Sequence, residues 1–121
     1  MHEMRSAPGY LGIEAERTSS VLRVRLRGEL DMLTAPLLTA ALTPIRTPGR
    51  RHLVVDMTEL QFMDRAGLAA LLEAAGNGRR RWVLSVIGCP PNVRRVFELT
   101  GHEDLIADSP LVSLGPEAGR G

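Results

Sequence analysis

The residues best placed to do chemistry lie in the middle of the chain, where an apolar strand stops at Asp64 and a helix-like run starts at Gly67. An aspartate directly before a helix caps it, because its carboxylate accepts hydrogen bonds from free backbone N–H groups. A helix start also carries a partial positive charge, which suits anion recognition or a phosphate switch. Arg65 follows the cap and adds a full positive charge there.

Other residues capable of catalysis are scattered along the chain. The sequence has no phosphate-binding glycine loop, no dinucleotide fingerprint and no histidine pair at a helical metal spacing. We interpret His52 and His102 as structural or solvated side chains, and Asp31, Asp56 and Asp64 as caps at strand or loop ends. The sequence therefore predicts that the protein is not an enzyme and that it needs no cofactor and no metal.

The amino-acid composition limits which kinds of partner the protein could bind and in which compartment it could work. The 121 residues fit one domain, and 15 basic against 14 acidic residues give no reason to expect nucleic acid or an anionic membrane as partner. Cys89 is the single cysteine, so no internal disulfide can form, and we assign its thiol no role. No run approaches the ~20 apolar residues of a membrane span. We expect a soluble, cytoplasmic protein without direct membrane insertion.

Strands and helices alternate around the Asp64 junction. Residues 11–17 predict a first strand, and residues 21–27 alternate Leu or Val with Arg, which predicts a second strand with one solvated face. Thr34-Ala-Pro36 opens a helix whose apolar spacing extends to Ile45. The later elements are predicted as strands at 52–57, 82–87 and 105–107, a central helix ending at Gly76-Asn77-Gly78, and a helix at 90–99.

This order predicts an α/β fold, a single domain with a mixed β-sheet and helices packed chiefly on one side. We expect a flexible tail at 1–10, the domain at 11–108 and a short segment at 109–121 that is partly helical or disordered. The predicted core comprises Leu26, Leu38, Leu42, Val54, Val55, Leu68, Leu71, Leu72, Leu84, Val86, Val96, Phe97 and Leu99.

Two of the aspartates are expected to converge. Strand-to-helix connections of a layered sheet often lie on a common rim, which would bring the Gly28–Pro36 loop beside the helix start at Asp64. Asp31 and Asp64 would then lie on one partner-binding face.

Four segments together carry a family resemblance over roughly residues 11–108. They are Gly28-Glu-Leu-Asp31 with Thr34-Ala35, His52-Leu-Val-Val-Asp56 with Leu60, Phe62-Met-Asp64 with Gly67-Leu68, and Val93-Arg-Arg-Val-Phe97 with Leu99-Thr-Gly101. In this order and spacing they resemble the STAS domain of bacterial anti-sigma factor antagonists. The resemblance implies a small α/β switch protein that binds an anti-sigma factor, often one with a serine-kinase ATPase fold, and so frees a sigma factor.

The sequence departs from that family at the switch itself. Members regulated by phosphorylation have Asp-Ser-Ser-Gly or Asp-Ser-Thr-Gly, and the hydroxyl after the aspartate is modified; here the run is Asp64-Arg65-Ala66-Gly67. Arginine accepts no phosphate and cannot imitate the roughly −1.5 to −2 charge of phosphoserine. Two interpretations of Arg65 stay open, a side chain pointing into solvent or a contact with an acidic partner. Thr34 and Thr58 are alternative acceptors that nothing in the sequence favours.

The sequence thus predicts a protein that binds an anti-sigma factor without phosphate control at position 65. The expected contact residues are Asp31, Thr34, Asp64, Arg65, Ala66, Gly67 and Leu68. The alternative is an accessory or scaffold subunit of a transport or stress-sensing complex, since similar domains occur there.

Overall fold

A computed structural model describes residues 9–18, 20–45, 51–76 and 82–107. The elements within these ranges are β1 (Leu11–Arg17), β2 (Val21–Leu30), α1 (Ala35–Leu42), β3 (Arg51–Met63), α2 (Arg65–Gly76), β4 (Trp82–Ile87), α3 (Pro91–Leu99) and a 3₁₀ turn (Glu103–Leu105). Several predicted features lie outside these residues: most of the tail, the loop at 46–50, the Asn77-Gly78 stop, the arginines at 79–81 and the segment at 109–121.

The strands form one mixed sheet in the order β1-β2-β3-β4. β1 pairs antiparallel with β2, whereas β2, β3 and β4 run parallel and are joined by helical crossovers. Parallel strands end at the same side of a sheet, so β2, β3 and β4 share what we call the carboxyl edge. The predicted mixed sheet is confirmed.

One face of the sheet carries the main core. Leu22, Val24 and Leu26 of β2 point to this face and are almost fully buried, as the alternation in the sequence predicted. All three helices add side chains to the same cluster, among them Leu38, Leu71 and Phe97. The helices therefore pack chiefly on one side, which confirms the predicted architecture.

The opposite face of the sheet carries the β2 arginines, and two of them, Arg25 and Arg27, pair with carboxylates of neighbouring strands. Arg25 lies 3.5 Å from Glu14 of β1 and 3.8 Å from Asp56 of β3. Arg27 donates a hydrogen bond of 2.6 Å to Glu59 of β3. Cations and carboxylates therefore alternate across this part of the face, which is the solvated face that the sequence predicted for β2.

Strand β3 is longer than the predicted segment at 52–57. Its register against β2 shifts twice, between Arg25 and Arg27 and between Gly28 and Glu29, and β3 holds the extra residue each time. Each bulge changes which face the following side chains take, so the strand lacks a steady two-residue period. The sequence therefore suggested a break where the strand continues to Met63.

Two other element bounds were also predicted wrongly. Helix α1 ends at Leu42 instead of Ile45, because the loop proline Pro44 has no N–H for a further helical hydrogen bond. The predicted strand at 105–107 is a 3₁₀ turn followed by a single bridge between Ile106 and Val86.

The predicted core is largely correct. Leu99 is the clear error, since its side chain is 64% exposed. It lies two residues from buried Phe97 on α3, and a helix turns about 100° per residue, so it faces away from the sheet. Leu72, Leu84 and Val96 are only partly buried against the core. Val54 is buried on the opposite face, in a small cluster with Val21 and Ile87.

Candidate functional site

The β3–α2 junction is built around Asp64. Its Oδ1 atom accepts a 2.8 Å hydrogen bond from the backbone N–H of Gly67, and its backbone carbonyl accepts one of 3.1 Å from Leu68. Its own N–H donates to the carbonyl of Leu30 at the end of β2, at 3.2 Å. The predicted cap is confirmed, and the same residue ties the helix start to the neighbouring strand.

Gly67 allows the start of α2 to approach the end of β2 closely. A Cβ atom at this position would lie 2.2 Å from the carbonyl oxygen of Leu30 and 2.9 Å from its side chain. No larger residue fits without moving the backbone of β2 or of α2. The close contact between Gly67 and Leu30 therefore sets the spacing of the site.

The β2–α1 loop is closed by reciprocal hydrogen bonds between Asp31 and Thr34. The Oδ1 atom of Asp31 accepts from the backbone N–H groups of Leu33 and Thr34, each at 3.0 Å. The hydroxyl of Thr34 accepts from the N–H of Asp31 at 2.9 Å and donates to the carbonyl of Glu29 at 2.7 Å. These bonds hold the loop in one conformation before the helix begins.

Asp31 and Asp64 follow directly after the neighbouring strands β2 and β3, at the carboxyl edge. Leu30 is in register with Met63, the last residue of β3, so the two aspartates follow paired positions. The predicted convergence of the β2–α1 loop with the start of α2 is therefore confirmed.

The predicted site residues differ in their exposure. Arg65 is exposed, and it forms no hydrogen bond or ion pair within the described part of the chain. Asp31, Asp64 and Ala66 are partly exposed. These four residues form the accessible part of the predicted site.

The other three predicted site residues are buried. Thr34 is 1% exposed, and Gly67 and Leu68 lie against β2 and the core. They hold the loop and the helix start in place, so we assign them to positioning instead of contact. The hydroxyl of Thr34 is also enclosed by its two backbone partners, which makes it a poor phosphate acceptor. Thr58 is exposed, and its hydroxyl donates a 2.6 Å hydrogen bond to Asp56.

A group of exposed apolar residues at the carboxyl edge was missed by sequence reasoning. Met32 and Leu33, in the β2–α1 loop, are 70% and 74% exposed, and Leu37 of α1 is 49% exposed. We call these three residues the apolar ridge. The signal was present, because two large apolar side chains stand in a loop between hydrogen-bonding residues, where no core position is expected.

The remaining reactive groups offer little chemistry. Burial raises the pKa of the Cys89 thiol to about 11, so the group is protonated at neutral pH and is a weak nucleophile. The Nδ1 atom of His102 lies 3.1 Å from the hydroxyl of Thr100. Among the described residues, no three His, Cys, Asp or Glu side chains cluster as a metal site would require. No helix in the same ranges is long and apolar enough to cross a membrane.

A family model and two related sequences both match most of the chain. The family model described as "Mlab, STAS domain" matches residues 13–112. An anti-sigma-B factor antagonist of Staphylococcus aureus is 33% identical over 99 residues, which cover 79% of this chain and 90% of that protein. The Staphylococcus epidermidis protein of the same name is 30% identical over 99 residues, with the same coverage of 79% and 90%.

Solved structures agree with the fold. The crystal structure of an anti-sigma factor antagonist from Mycobacterium paratuberculosis superposes with a TM-score of 0.75 at 27% identity, covering 92% of this chain and 97% of that one. The unphosphorylated form of the anti-sigma factor antagonist SpoIIAA gives a TM-score of 0.67 at 20% identity, covering 89% and 97%. At that lower identity the likeness speaks for the fold alone.

Proposed function

The chain belongs to the STAS domain family, and on that basis we propose that it is an anti-sigma factor antagonist. In this role it binds an anti-sigma factor and so releases a sigma factor for transcription. Two Staphylococcus relatives that align with most of the chain are named anti-sigma-B factor antagonists, which supports the proposal. An antagonist of this kind works in the cytoplasm, where transcription takes place.

The observation that carries the proposal is the make-up of the carboxyl edge. Asp31 and Asp64 use their carboxylates to hold backbone N–H groups, and the most exposed side chains around them are apolar or cationic. Such an edge has the features of a binding surface, because interfaces are rich in Met, aromatic and Arg side chains. It offers no base beside a nucleophile, so the proposed activity is binding and not catalysis.

The proposed antagonist is not controlled by phosphate at position 65. Arg65 occupies the place where phosphorylated family members have a hydroxyl, and its neighbour Ala66 has none either. If the partner is an anti-sigma factor of the serine-kinase type, kinase and ATP should leave position 65 unmodified, so the affinity should not respond to phosphate transfer at that site. The complex would then depend on the amounts of the two proteins instead of a kinase reaction.

The test is recovery of the partner by the tagged full-length chain from lysates of the native cell, with proteins identified by mass spectrometry. We expect an anti-sigma factor, and adding the purified chain to that factor and its sigma factor should restore transcription. Arg65→Glu should reduce recovery. Arg95→Glu is the matched control, because it makes the same charge change at an exposed position of α3.

A second experiment addresses control by phosphate. The recovered anti-sigma factor is incubated with ATP and either the wild-type chain or Arg65→Ser, and phosphate transfer is followed by intact-protein mass spectrometry. We expect no phosphate at position 65 in the wild type and a gain of one phosphate in Arg65→Ser if the partner is a serine kinase. Recovery of transport or scaffold subunits without any anti-sigma factor would instead favour the accessory-subunit alternative.

A further inference from the structure

We infer that the apolar ridge is the main anchor of the carboxyl edge, and that the anti-sigma factor receives it in an apolar groove with a carboxylate beside it. The inference rests on the proposed function and adds to it the chemistry by which the partner is recognised. Arg65 would pair with that carboxylate, while Met32, Leu33 and Leu37 enter the groove.

The exposed apolar side chains are concentrated in one short stretch of the chain. Five large apolar side chains are exposed in the described part of the chain, and the three of the ridge fall within residues 32–37. The other two, Phe62 and Leu99, lie on β3 and at the end of α3. Single exposed apolar residues are ordinary on a protein surface, whereas a contiguous group marks an interaction site.

The ridge is held in place before binding. The loop that carries Met32 and Leu33 is closed by the bonds between Asp31 and Thr34, and Leu37 lies in the first turn of a regular helix. A preorganised loop loses little conformational entropy when a partner covers it, so more of the apolar burial appears as affinity.

The charge beside the ridge is positive. Arg65 is more exposed than Asp31 and Asp64, and it has no partner among the described residues. Asp31 and Asp64 are partly buried and already bind backbone N–H groups. The partial positive charge at the start of α2 adds to that of Arg65. A partner carboxylate next to the groove would complement both.

The same charges disfavour a second copy of this chain as the occupant. A symmetric dimer through the ridge would place the same surface on both sides of the contact, so the cation Arg65 and the positively charged start of α2 would occur on each side. The carboxylates available there would be Asp31 and Asp64, whose Oδ1 atoms are engaged in the loops. An anti-sigma factor with its own exposed carboxylate has no such conflict.

The test measures the affinity of the full-length chain for the anti-sigma factor recovered with it, by isothermal titration at several salt concentrations. The double variant Met32→Ser with Leu33→Ser should weaken binding by at least about tenfold. Leu99→Ser changes another exposed apolar residue, on the last turn of α3; it is the control and should stay within about twofold of the wild type. Thermal melting shows that each variant is folded.

Arg65 supplies the second measurement in the same titration. Wild-type affinity should fall as salt rises, because salt screens the pairing with the partner carboxylate. Arg65→Glu should bind more weakly at low salt and lose that salt dependence, or reverse it. Arg95→Glu should keep the wild-type slope.

Each outcome decides between the inference and its alternatives. Wild-type affinity in the ridge double variant, together with a loss in Arg65→Glu, would overturn the ridge as anchor and leave the proposed function standing. A wild-type chain that binds no anti-sigma factor would overturn both. Sedimentation showing a wild-type dimer that the double variant abolishes would assign the ridge to a second copy and overturn the inferred partner.

Discussion

The two strand–helix junctions at the carboxyl edge use an aspartate in the same way but expose different chemistry. At the β2–α1 loop, Asp31 accepts two backbone N–H groups and the residues that follow it are apolar and exposed. At the β3–α2 junction, Asp64 accepts the N–H of Gly67 and is followed by an exposed cation, Arg65. Both junctions meet at Leu30, whose carbonyl binds the N–H of Asp64.

The comparison indicates that one residue of each junction holds the backbone in place while a neighbouring residue is exposed for contact with a partner. In each junction a partly or fully buried group makes the hydrogen bonds, and the side chain beside it is left free for solvent or a partner. Changes to the first kind of residue should therefore lower stability, and changes to the second should alter binding. The predictions below test this division, beginning with the largest expected effect.

Gly67→Ala should have the largest effect, because it acts on the contact that joins the two junctions. The added Cβ would lie 2.2 Å from the carbonyl oxygen of Leu30, and overpacking of this kind costs roughly 3 kcal/mol. Urea denaturation would measure the loss in the free energy of unfolding. Gly76→Ala is the control, since nothing lies within 4 Å of a Cβ there. Equal midpoints for the two variants would contradict the close contact.

Thr34→Val should destabilise the β2–α1 junction by about 2 kcal/mol, because it leaves the N–H of Asp31 and the carbonyl of Glu29 without their partner. Valine has nearly the same shape, so the change isolates the hydroxyl. Thr39→Val on the exposed side of α1 should change stability by less than about 0.5 kcal/mol. A matching loss of stability in both variants would show that the buried hydroxyl has no special part in the loop.

Asp64→Ala should cost about 1 kcal/mol, the usual contribution of a helix cap. Hydrogen exchange of the Gly67 amide should become faster, since this amide donates to the lost carboxylate. Asp64→Asn retains an oxygen acceptor and should leave both quantities nearly unchanged. Exchange that is equally slow in Asp64→Ala would mean that the amide is protected by packing and not by the cap.

Arg65→Glu should have the smallest effect on stability and should act in the opposite direction. Replacing a cation with an anion at a helix start stabilises the helix by about 0.3–1 kcal/mol at low salt. Arg95→Glu, in the second turn of α3, should give no such gain. Thermal melting at low salt would measure the change in stability of both variants. If Arg65→Glu binds the partner more weakly yet unfolds at a higher temperature, Arg65 serves recognition and not positioning. If Arg65→Glu is instead less stable than the wild type, Arg65 also helps to hold the fold, which would contradict the division.

The local parts of this site could be predicted from the sequence. The cap at Asp64 follows from an aspartate before an apolar run, and the convergence with Asp31 follows from parallel strands ending at one edge. The family motifs extend the same reasoning, because their order fixes the succession of strands and helices.

The parts that depend on the three-dimensional arrangement of the loop and of β3 could not be predicted. Thr34 is buried, and its hydroxyl bonds to the carbonyl of Glu29 at the end of β2, whereas a threonine beside a proline helix start is usually exposed. The exposure of Met32 and Leu33 was hidden because large apolar residues usually enter the core. The full length of β3 was hidden by its two bulges, which disturb the two-residue period on which strand prediction depends.

The backbone contact between the two junctions also bears on how this protein could change over evolutionary time. The geometry of the edge is held by main-chain bonds, by a glycine and by two aspartates, and the side chain at position 65 contributes none of them. Substitutions there are therefore nearly free of folding constraints. A lineage could exchange a hydroxyl and a cation at this position through a single substitution while the backbone geometry of the carboxyl edge stays intact.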